Sequence, residues 1–510
     1  MRGTPCLDEC RHLLALADGM ARVFSAGSDA NAGAKALATS WAIDGWRAEV
    51  EALTQASDLE SLLGELKLEG LALKLRRLWL RQVYALSSSY MMSPPHAQHK
   101  RLPGSLRVGY PYDRWIKPVH IEQRLAAQTP APEGWCGRNA VFASGMAAIS
   151  TILQVYRATG TQIWPRPKGP LSLHWFGGYF EITKLLRLSC DAYFHGRKHA
   201  SQSGLCKAVE LGVTDFILIE PVAADIDLDV FDLEAFVRAW KLRRQKRPCV
   251  ILVDTSLTGP SFRVEDLCRS LGPYPPALVI EVRSGVKLDQ EGLELSNVGL
   301  VRLLAPDAPD QADRLERFEH NLRVARTTVG AALSEDEYAT LSAPFFLDRD
   351  AFERHSAVVF ENNRAFARGL QKTLAQGSGL ITQVIHPCLG VNRDKPWANA
   401  PYVNLRYASD DDSARAFLRA VLEFEAQTRR LCLLSGSSFG FRGHRFEMGF
   451  VRGLKHSTLR VAMGARQGPS RDGVIQLFQD LARYPDFPAL RKAYPQIAKN
   501  APDDRVEEEG

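Results

Sequence analysis

The feature that most constrains the fold is a set of short apolar runs separated by helical patterns. Asp215-Phe-Ile-Leu-Ile-Glu220, Cys249-Val-Ile-Leu-Val-Asp254 and Ala277-Leu-Val-Ile-Glu-Val282 are apolar along most of their length, without alternation. A strand with one wet face alternates, whereas an uninterrupted run is buried on both faces. Asp232 to Arg244 and Val264 to Leu271, which lie between these runs, carry apolar residues at three- and four-residue spacing. Strand, helix, strand in this order predicts a mainly parallel sheet covered by helices. Such sheets bind ligands beyond the carboxyl ends of their strands. Two residues stand at such ends: Asp254, and Lys287 in Ser284-Gly-Val-Lys287.

A loop lysine is ordinarily solvated, but one held partly neutral can form a Schiff base with a carbonyl. Upstream, the turn Ser144-Gly145-Met146 opens a helix predicted to end near Gly160. The unpaired amides of a helix start, with a glycine that admits close approach, suit an anion. Ser144 by itself is equally an ordinary N-cap.

The rest of the chain frames this centre. Residues 1–95 are predicted as a helical extension from the apolar spacing of Arg11–Ala17, Trp41–Leu53 and Leu59–Leu86, with Asp58 as the N-cap of the last helix. Breakers between 87 and 110 (Pro94-Pro95, Pro103-Gly104) predict a linker or arm. Residues 96–315 form the expected large domain. Residues 316–500 form a smaller α/β domain with a connecting helix, its strands at Pro401–Tyr407 and Thr458–Ala462 and helices near 412–430 and 471–483. An acidic disordered tail, 501–510, ends the chain. The 510 residues carry a net charge of only +6, and the densest basic run, Lys241–Arg247, reads as the end of a helix, so no nucleic-acid partner is expected. Nine scattered cysteines without a CxxC pair, and no apolar run of ~20 residues, predict a soluble cytoplasmic protein without metal or membrane contacts.

In order, the chain carries Tyr112-Asp-Arg114, Ile121-Glu-Gln-Arg-Leu-Ala126, Ala143-Ser-Gly-Met-Ala-Ala148, Trp175-Phe-Gly-Gly-Tyr179, Asp254, Ser284-Gly-Val-Lys287 and Leu459-Arg-Val461. This series, over roughly residues 110–465, resembles the fold-type I pyridoxal-phosphate enzymes, and most closely the cystathionine synthase and lyase (Cys/Met metabolism) branch. The resemblance implies the aspartate aminotransferase-like α/β fold of PLP-dependent transferases. It implies pyridoxal 5'-phosphate bound as a Schiff base to Lys287, which then serves as the base at the substrate Cα. It places Asp254 on the pyridinium nitrogen, the Gly145 and Met146 amides with Ser284 around the phosphate, Phe176 against the ring, and Ser144 and Ser256 among the other cofactor-binding residues. Tyr112 and Arg114 would reach the cofactor of a neighbouring subunit, which implies a homodimer or dimer of dimers with shared sites. Arg460 would clamp the α-carboxylate of an amino-acid substrate.

The chain also departs from that pattern. Phe176 lacks the phenol of the family's stacking tyrosine, so Tyr179 is the candidate catalytic hydroxyl. Glu220-Pro-Val-Ala-Ala224 lacks the family's asparagine, and Val286 replaces a threonine. The stretch Ser435-Gly-Ser-Ser-Phe-Gly-Phe-Arg-Gly-His-Arg445 is richer in Arg and His than its counterpart, making Ser438 and Arg442 candidate substrate contacts, with Arg442, His444 and Arg445 equally readable as binders of an anionic or extended substrate or as structural ion-pair partners. A retained cofactor site with a rebuilt pocket implies β/γ-elimination or γ-replacement in specialised biosynthesis, with S-adenosylmethionine or an activated homoserine as donor. An aminotransferase, decarboxylase or aldolase is the alternative. A regulator with a DNA-binding extension is disfavoured, because residues 1–95 have neither its pattern nor its charge.

Overall fold

The computed structural model describes residues 4–25, 33–87, 92–93, 100–102, 106–165, 169–245, 247–272, 274–377, 379–408, 412–449 and 458–500. The expected acidic tail and most of the expected linker lie outside the described residues.

The N-terminal third begins with helices α1 (Pro5–Ser25), α2 (Gly33–Thr54) and α3 (Leu62–Ser87). Ser61, not the expected Asp58, sits at the start of α3: the Gly64 amide donates to its hydroxyl at 3.2 Å, while Asp58 pairs with Lys67 at 2.9 Å. The extension is not a detached unit. Leu13, Trp46, Leu68 and Trp79 share one buried cluster with Ile121, Leu125 and Leu333 of the following chain. The indole of Trp79 donates to the Thr340 carbonyl at 3.1 Å. A short ribbon, β1 (Lys100–Leu102) and β2 (Leu106–Val108), precedes α4 (Val119–Gln128).

The large sheet is built from β3 (Trp135–Phe142), β4 (Leu171–Phe176), β5 (Phe194–Lys198), β6 (Phe216–Ile219), β7 (Val250–Asp254), β8 (Leu278–Ser284) and β9 (Gly299–Pro306). Their order is β3-β9-β8-β7-β6-β4-β5. The neighbours of β9 pair with it antiparallel and the other pairs are parallel, which gives the mainly parallel sheet expected. Helices α5 (Gly145–Ile163), α6 (Phe180–Ser189), α7 (Gln202–Leu211), α8 (Leu233–Lys241) and α9 (Val264–Leu271) connect the strands. Strand parity separates two cores. Leu173, Leu218 and Leu252 bury on one face of the sheet, and Phe176, Ile217 and Ile251 on the other.

Strand β9 was not expected from the sequence, because Arg302 interrupts its apolar pattern. That guanidinium is buried, pairs with Glu265 and lies 3.6 Å from Glu281. Helices α10 (Pro309–Thr328), α11 (Glu335–Thr340) and α12 (Arg349–Leu374) lead to a second sheet. It comprises β10 (Ile381–Ile385), β11 (Val403–Tyr407), β12 (Leu433–Ser435), β13 (His444–Gly449) and β14 (Thr458–Ala462), ordered β10-β11-β14-β13-β12 and flanked by α13 (Asp412–Thr428) and α14 (Pro469–Ala482). Among the described residues no helix is long and apolar enough to cross a membrane, and the nine cysteines are free thiols.

Candidate active site

The register of the large sheet brings the candidate residues to one edge. Strands β3, β4, β6, β7 and β8 run parallel, so Phe142, Phe176, Ile219, Asp254 and Ser284 all end at that edge. Phe142 and Ser284 both pair with Gly299, and Asp254 pairs with Val282.

At this edge the start of α5 meets the end of β8. The Ser144 hydroxyl caps α5 by accepting from the Ala147 amide at 3.1 Å, which leaves the Gly145 and Met146 amides, without intrahelical partners, at the positive end of the helix. A Cβ on Gly145 would lie 3.5 Å from Ser284 Cβ, so these two residues are in direct contact. The Ser284 amide donates to Ser256 Oγ at 2.8 Å, and the Ser256 amide donates to Asp254 Oδ1 at 2.9 Å. Four of the expected cofactor-binding residues therefore form one contiguous wall with Asp254.

Burial pushes the Asp254 carboxyl above its ordinary value, and the Ser256 hydrogen bonds and Lys287 only partly oppose this. A carboxylate so placed is short of positive charge, and a cationic ring nitrogen would supply it. Lys287 is half-buried, and loss of solvation lowers its ammonium below the usual lysine range. Its Nζ donates to the Ser438 hydroxyl and lies 5.0 Å from the centre of the Phe439 ring. The segment carrying Ser438 wraps closely, since a Cβ on Gly440 would come within 2.7 Å of the Lys287 carbonyl oxygen. Ser438 is thus brought to Lys287. The chemistry of these donors, a wall of amides and hydroxyls, an under-compensated carboxylate and a desolvated amine, fits pyridoxal 5'-phosphate.

On the second sheet, Arg460 sits on β14 beside Glu447 of β13, with Nη1 3.1 Å from Glu447 Oε2 and the guanidinium 4.4 Å from the centre of the Tyr402 ring. Tyr179 precedes α6. Its phenol donates to Glu181 Oε2 at 2.8 Å, and burial together with Glu181 raises it above the usual tyrosine range.

Two expected residues do not face the site. Phe176 was expected against the cofactor ring, but it is only 6% exposed, and its ring centre lies 6.1 Å from that of Phe231 in the core under α8. Strand parity turns it inward. Arg442, a candidate substrate contact or structural ion-pair partner, takes the second part: it is buried and its Nη2 donates to Glu9 Oε1 of α1 at 2.6 Å. His444 is likewise structural: it is fully buried and its Nδ1 accepts from the Gly464 amide at 3.0 Å. Tyr112 and Arg114 lie apart on the surface, the tyrosine 45% exposed with Arg114 stacked 5.5 Å from its ring centre.

Sequence reasoning missed the acidic residues. Glu220 is buried and accepts from the Gly178 amide at 3.0 Å, the Tyr179 amide at 3.1 Å and the Ala224 amide at 2.6 Å, and so fixes the glycine turn that presents Tyr179. Glu447 and Glu294 pair with Arg460 and Arg445, at 3.1 and 2.9 Å. The available signal was local: Glu447 follows Arg445 by two residues, so both lie on one face of β13.

No protein-family model matches the chain, and no curated protein matches it in sequence. Solved structures do match in fold. Cystathionine gamma synthase from Xanthomonas oryzae pv. oryzae, in complex with cystathionine, aligns over 80% of this chain and 98% of its own, with 17% identity and a TM-score of 0.53. The metB protein of Corynebacterium glutamicum aligns over 77% and 91%, with 17% identity and a TM-score of 0.52. Cystathionine gamma-lyase from yeast aligns over 79% and 97%, with 16% identity and a TM-score of 0.51. The chain is therefore built on the fold of the cystathionine gamma-synthases and gamma-lyases, the fold-type I scaffold that the sequence resemblance implies.

Proposed function

We propose that the chain is a pyridoxal-phosphate-dependent enzyme that acts on an amino acid by β/γ-elimination or γ-replacement. The observation that carries this reading is the convergence of Lys287, Asp254 and the amide end of α5 on one sheet edge, in the fold of enzymes named for cystathionine gamma chemistry. When bound, the cofactor supplies an electron sink that makes the Cα proton of an attached amino acid acidic.

The chain's own groups have separate tasks. Gly145 and Met146 amides with the Ser284 hydroxyl would hold the phosphate, and Asp254, steadied by Ser256, the ring nitrogen. Lys287 is held by Ser438, and its loss of solvation favours the neutral amine that would take the Cα proton and return it elsewhere. Tyr179 stays protonated because burial and Glu181 raise its phenol, so it serves as a proton donor. Arg460 orients the α-carboxylate, and the Tyr402 ring holds the guanidinium flat while it does so. Tyr112 and Arg114, exposed on the surface, would reach the site of a second subunit, and the working unit would then be a homodimer or a dimer of dimers.

The donor we propose is S-adenosylmethionine or an activated homoserine; the charges around Lys287 balance, with Glu294 paired to Arg445 and Glu447 to Arg460, and so favour neither.

The test is to incubate the purified protein with pyridoxal phosphate and each class of donor and analyse the products. Ammonia and a 2-oxo acid formed without a co-substrate support elimination, and a product that requires an amino acceptor overturns it in favour of transamination. A protein that takes up no cofactor overturns the reading altogether.

A further inference from the structure

We propose that helices α1 and α3 are a positioning element of the active site, holding in cis the two strained segments that enclose Lys287. The functional meaning rests on the reading above, but the geometry stands without it.

The first segment follows the lysine. Glu291 and Glu294 have φ of +51° and +49°, and Gly292 between them +68°. The second contains Ser438, with φ of +74°, and Gly440, with +82°. Three of the six non-glycine residues with positive φ among the described residues thus lie in the two stretches next to one lysine. Side-chain-bearing residues persist in this region only where their surroundings over-determine them. The segments also lie back to back, since a Cβ on Gly292 would come within 2.6 Å of the Arg442 amide nitrogen.

Much of what determines them comes from the extension. From α3, Arg76 donates Nε to the Leu293 carbonyl at 2.9 Å and Nη2 to the Glu294 carbonyl at 2.8 Å. From α1, His12 Nε2 lies 3.2 Å from Glu291 Oε2. Glu9 Oε1 accepts from Arg442 at 2.6 Å and lies 3.5 Å from Nη2 of Arg466, a buried guanidinium that Glu69 of α3 also binds. His355 of α12 closes the back, with Nε2 2.8 Å from the Gly440 carbonyl oxygen and Nδ1 3.7 Å from Glu291. The Glu9–Arg442 pair is nearly solvent-free, so removing one partner strands the other charge in the interior. The peptide bonds at Glu294, and the segment from Ser438 to Arg442, are thereby fastened to helices far away in sequence. Their far side is Lys287 itself, whose Nζ donates to Ser438.

The experiment uses the full chain without added cofactor, as wild type, Glu9→Gln, Arg76→Ala and the control Lys74→Ala. The control removes an exposed pair with Glu49 on the outer face of the extension. Hydrogen–deuterium exchange is followed in peptides covering 286–296 and 436–446, and labelling of the Lys287 amine is followed against pH. The expected result is about tenfold faster exchange confined to these two stretches in Glu9→Gln and Arg76→Ala, with none in the control. The pH profile of Lys287 labelling should move up towards that of an ordinary lysine as the pocket opens to water. In the loaded enzyme kcat should fall more than KM rises. If Glu9→Gln does not fold, Arg76→Ala, whose half-buried side chain bonds only to backbone carbonyls among the contacts above, decides the matter. Folded variants with wild-type exchange in both stretches and an unmoved Lys287 profile would overturn the proposal. A wild type that binds no cofactor would sink the proposed function and leave the exchange result untouched.

Discussion

Replacing Gly145 with alanine should separate binding from stability. Gly145 begins α5 and does not have a positive φ, so a side chain brings no backbone strain there. The added Cβ would meet Ser284 Cβ at 3.5 Å and Ser284 Cα at 3.6 Å, which is ordinary van der Waals contact. Alanine is a better helix former than glycine by up to ~1 kcal/mol in helix interiors, and by less at a first position. The apo protein should therefore unfold within about 0.5 kcal/mol of wild type, or slightly later. Binding should behave oppositely. The new methyl stands on the wall that the α5 amides form with Ser284, against which the phosphate is to sit. A hydrogen bond to a charged oxygen contributes about 1.5–3 kcal/mol, so losing one should weaken pyridoxal phosphate by roughly 10- to 100-fold.

Gly299→Ala is the internal contrast, because its Cβ would come within 2.2 Å of the Ser144 carbonyl oxygen and the backbone must move. It should destabilise the fold by about 1–3 kcal/mol. Denaturant unfolding of the apo proteins and a cofactor titration followed by tryptophan fluorescence read both quantities. Wild-type affinity in Gly145→Ala would refute the placement of the phosphate, and an early unfolding of Gly145→Ala would refute the contact geometry.

Burial raises Glu220 from 4.5 to about 7, so between those values the folded chain keeps a proton that the unfolded chain has released. Stability from this group is complete below about pH 4.5 and is lost as pH rises through 7, by ~3 kcal/mol in all. Glu220→Gln should flatten that slope in unfolding experiments at pH 5 and pH 8, and an unchanged slope counts against it. Ser144→Ala removes the α5 cap and should lower stability by about 1 kcal/mol in thermal melts. Arg460→Lys should raise the KM for the amino acid at least about tenfold by losing the paired grip on the carboxylate, whereas Glu447→Gln frees the guanidinium and should lower KM. Equal KM changes of one sign in both variants would contradict the assigned roles.

The parallel strands were legible because burial on both faces leaves Phe216–Ile219 and Val250–Val253 with no polar interruption. Lys287 and Asp254 were legible for the same reason, since polar residues that end such runs stand at the sheet edge. The antiparallel β9 was hidden by Arg302, whose charge is tolerated only because Glu265 and Glu281 reach it from elsewhere. Strand β13 was hidden because His444 and Arg445 read as a polar loop, while the fold buries the first and leaves the second at the rim. Phe176 was misplaced because matching a motif position says nothing of strand parity. Which of its two readings Arg442 follows was not legible, because its partner, Glu9, is brought to it only by tertiary folding. Local patterns carry the strands and the strand-end residues, whereas an ion pair between residues 433 positions apart decides that Arg442 turns away from the pocket.

The most direct test of the central claim is borohydride reduction of the protein with pyridoxal phosphate, followed by peptide mass mapping of wild type and Lys287→Ala. The account predicts that the reduced cofactor is fixed on the peptide containing Lys287 in wild type and nowhere in the variant. Fixation on another lysine, or none in the wild type, would contradict it.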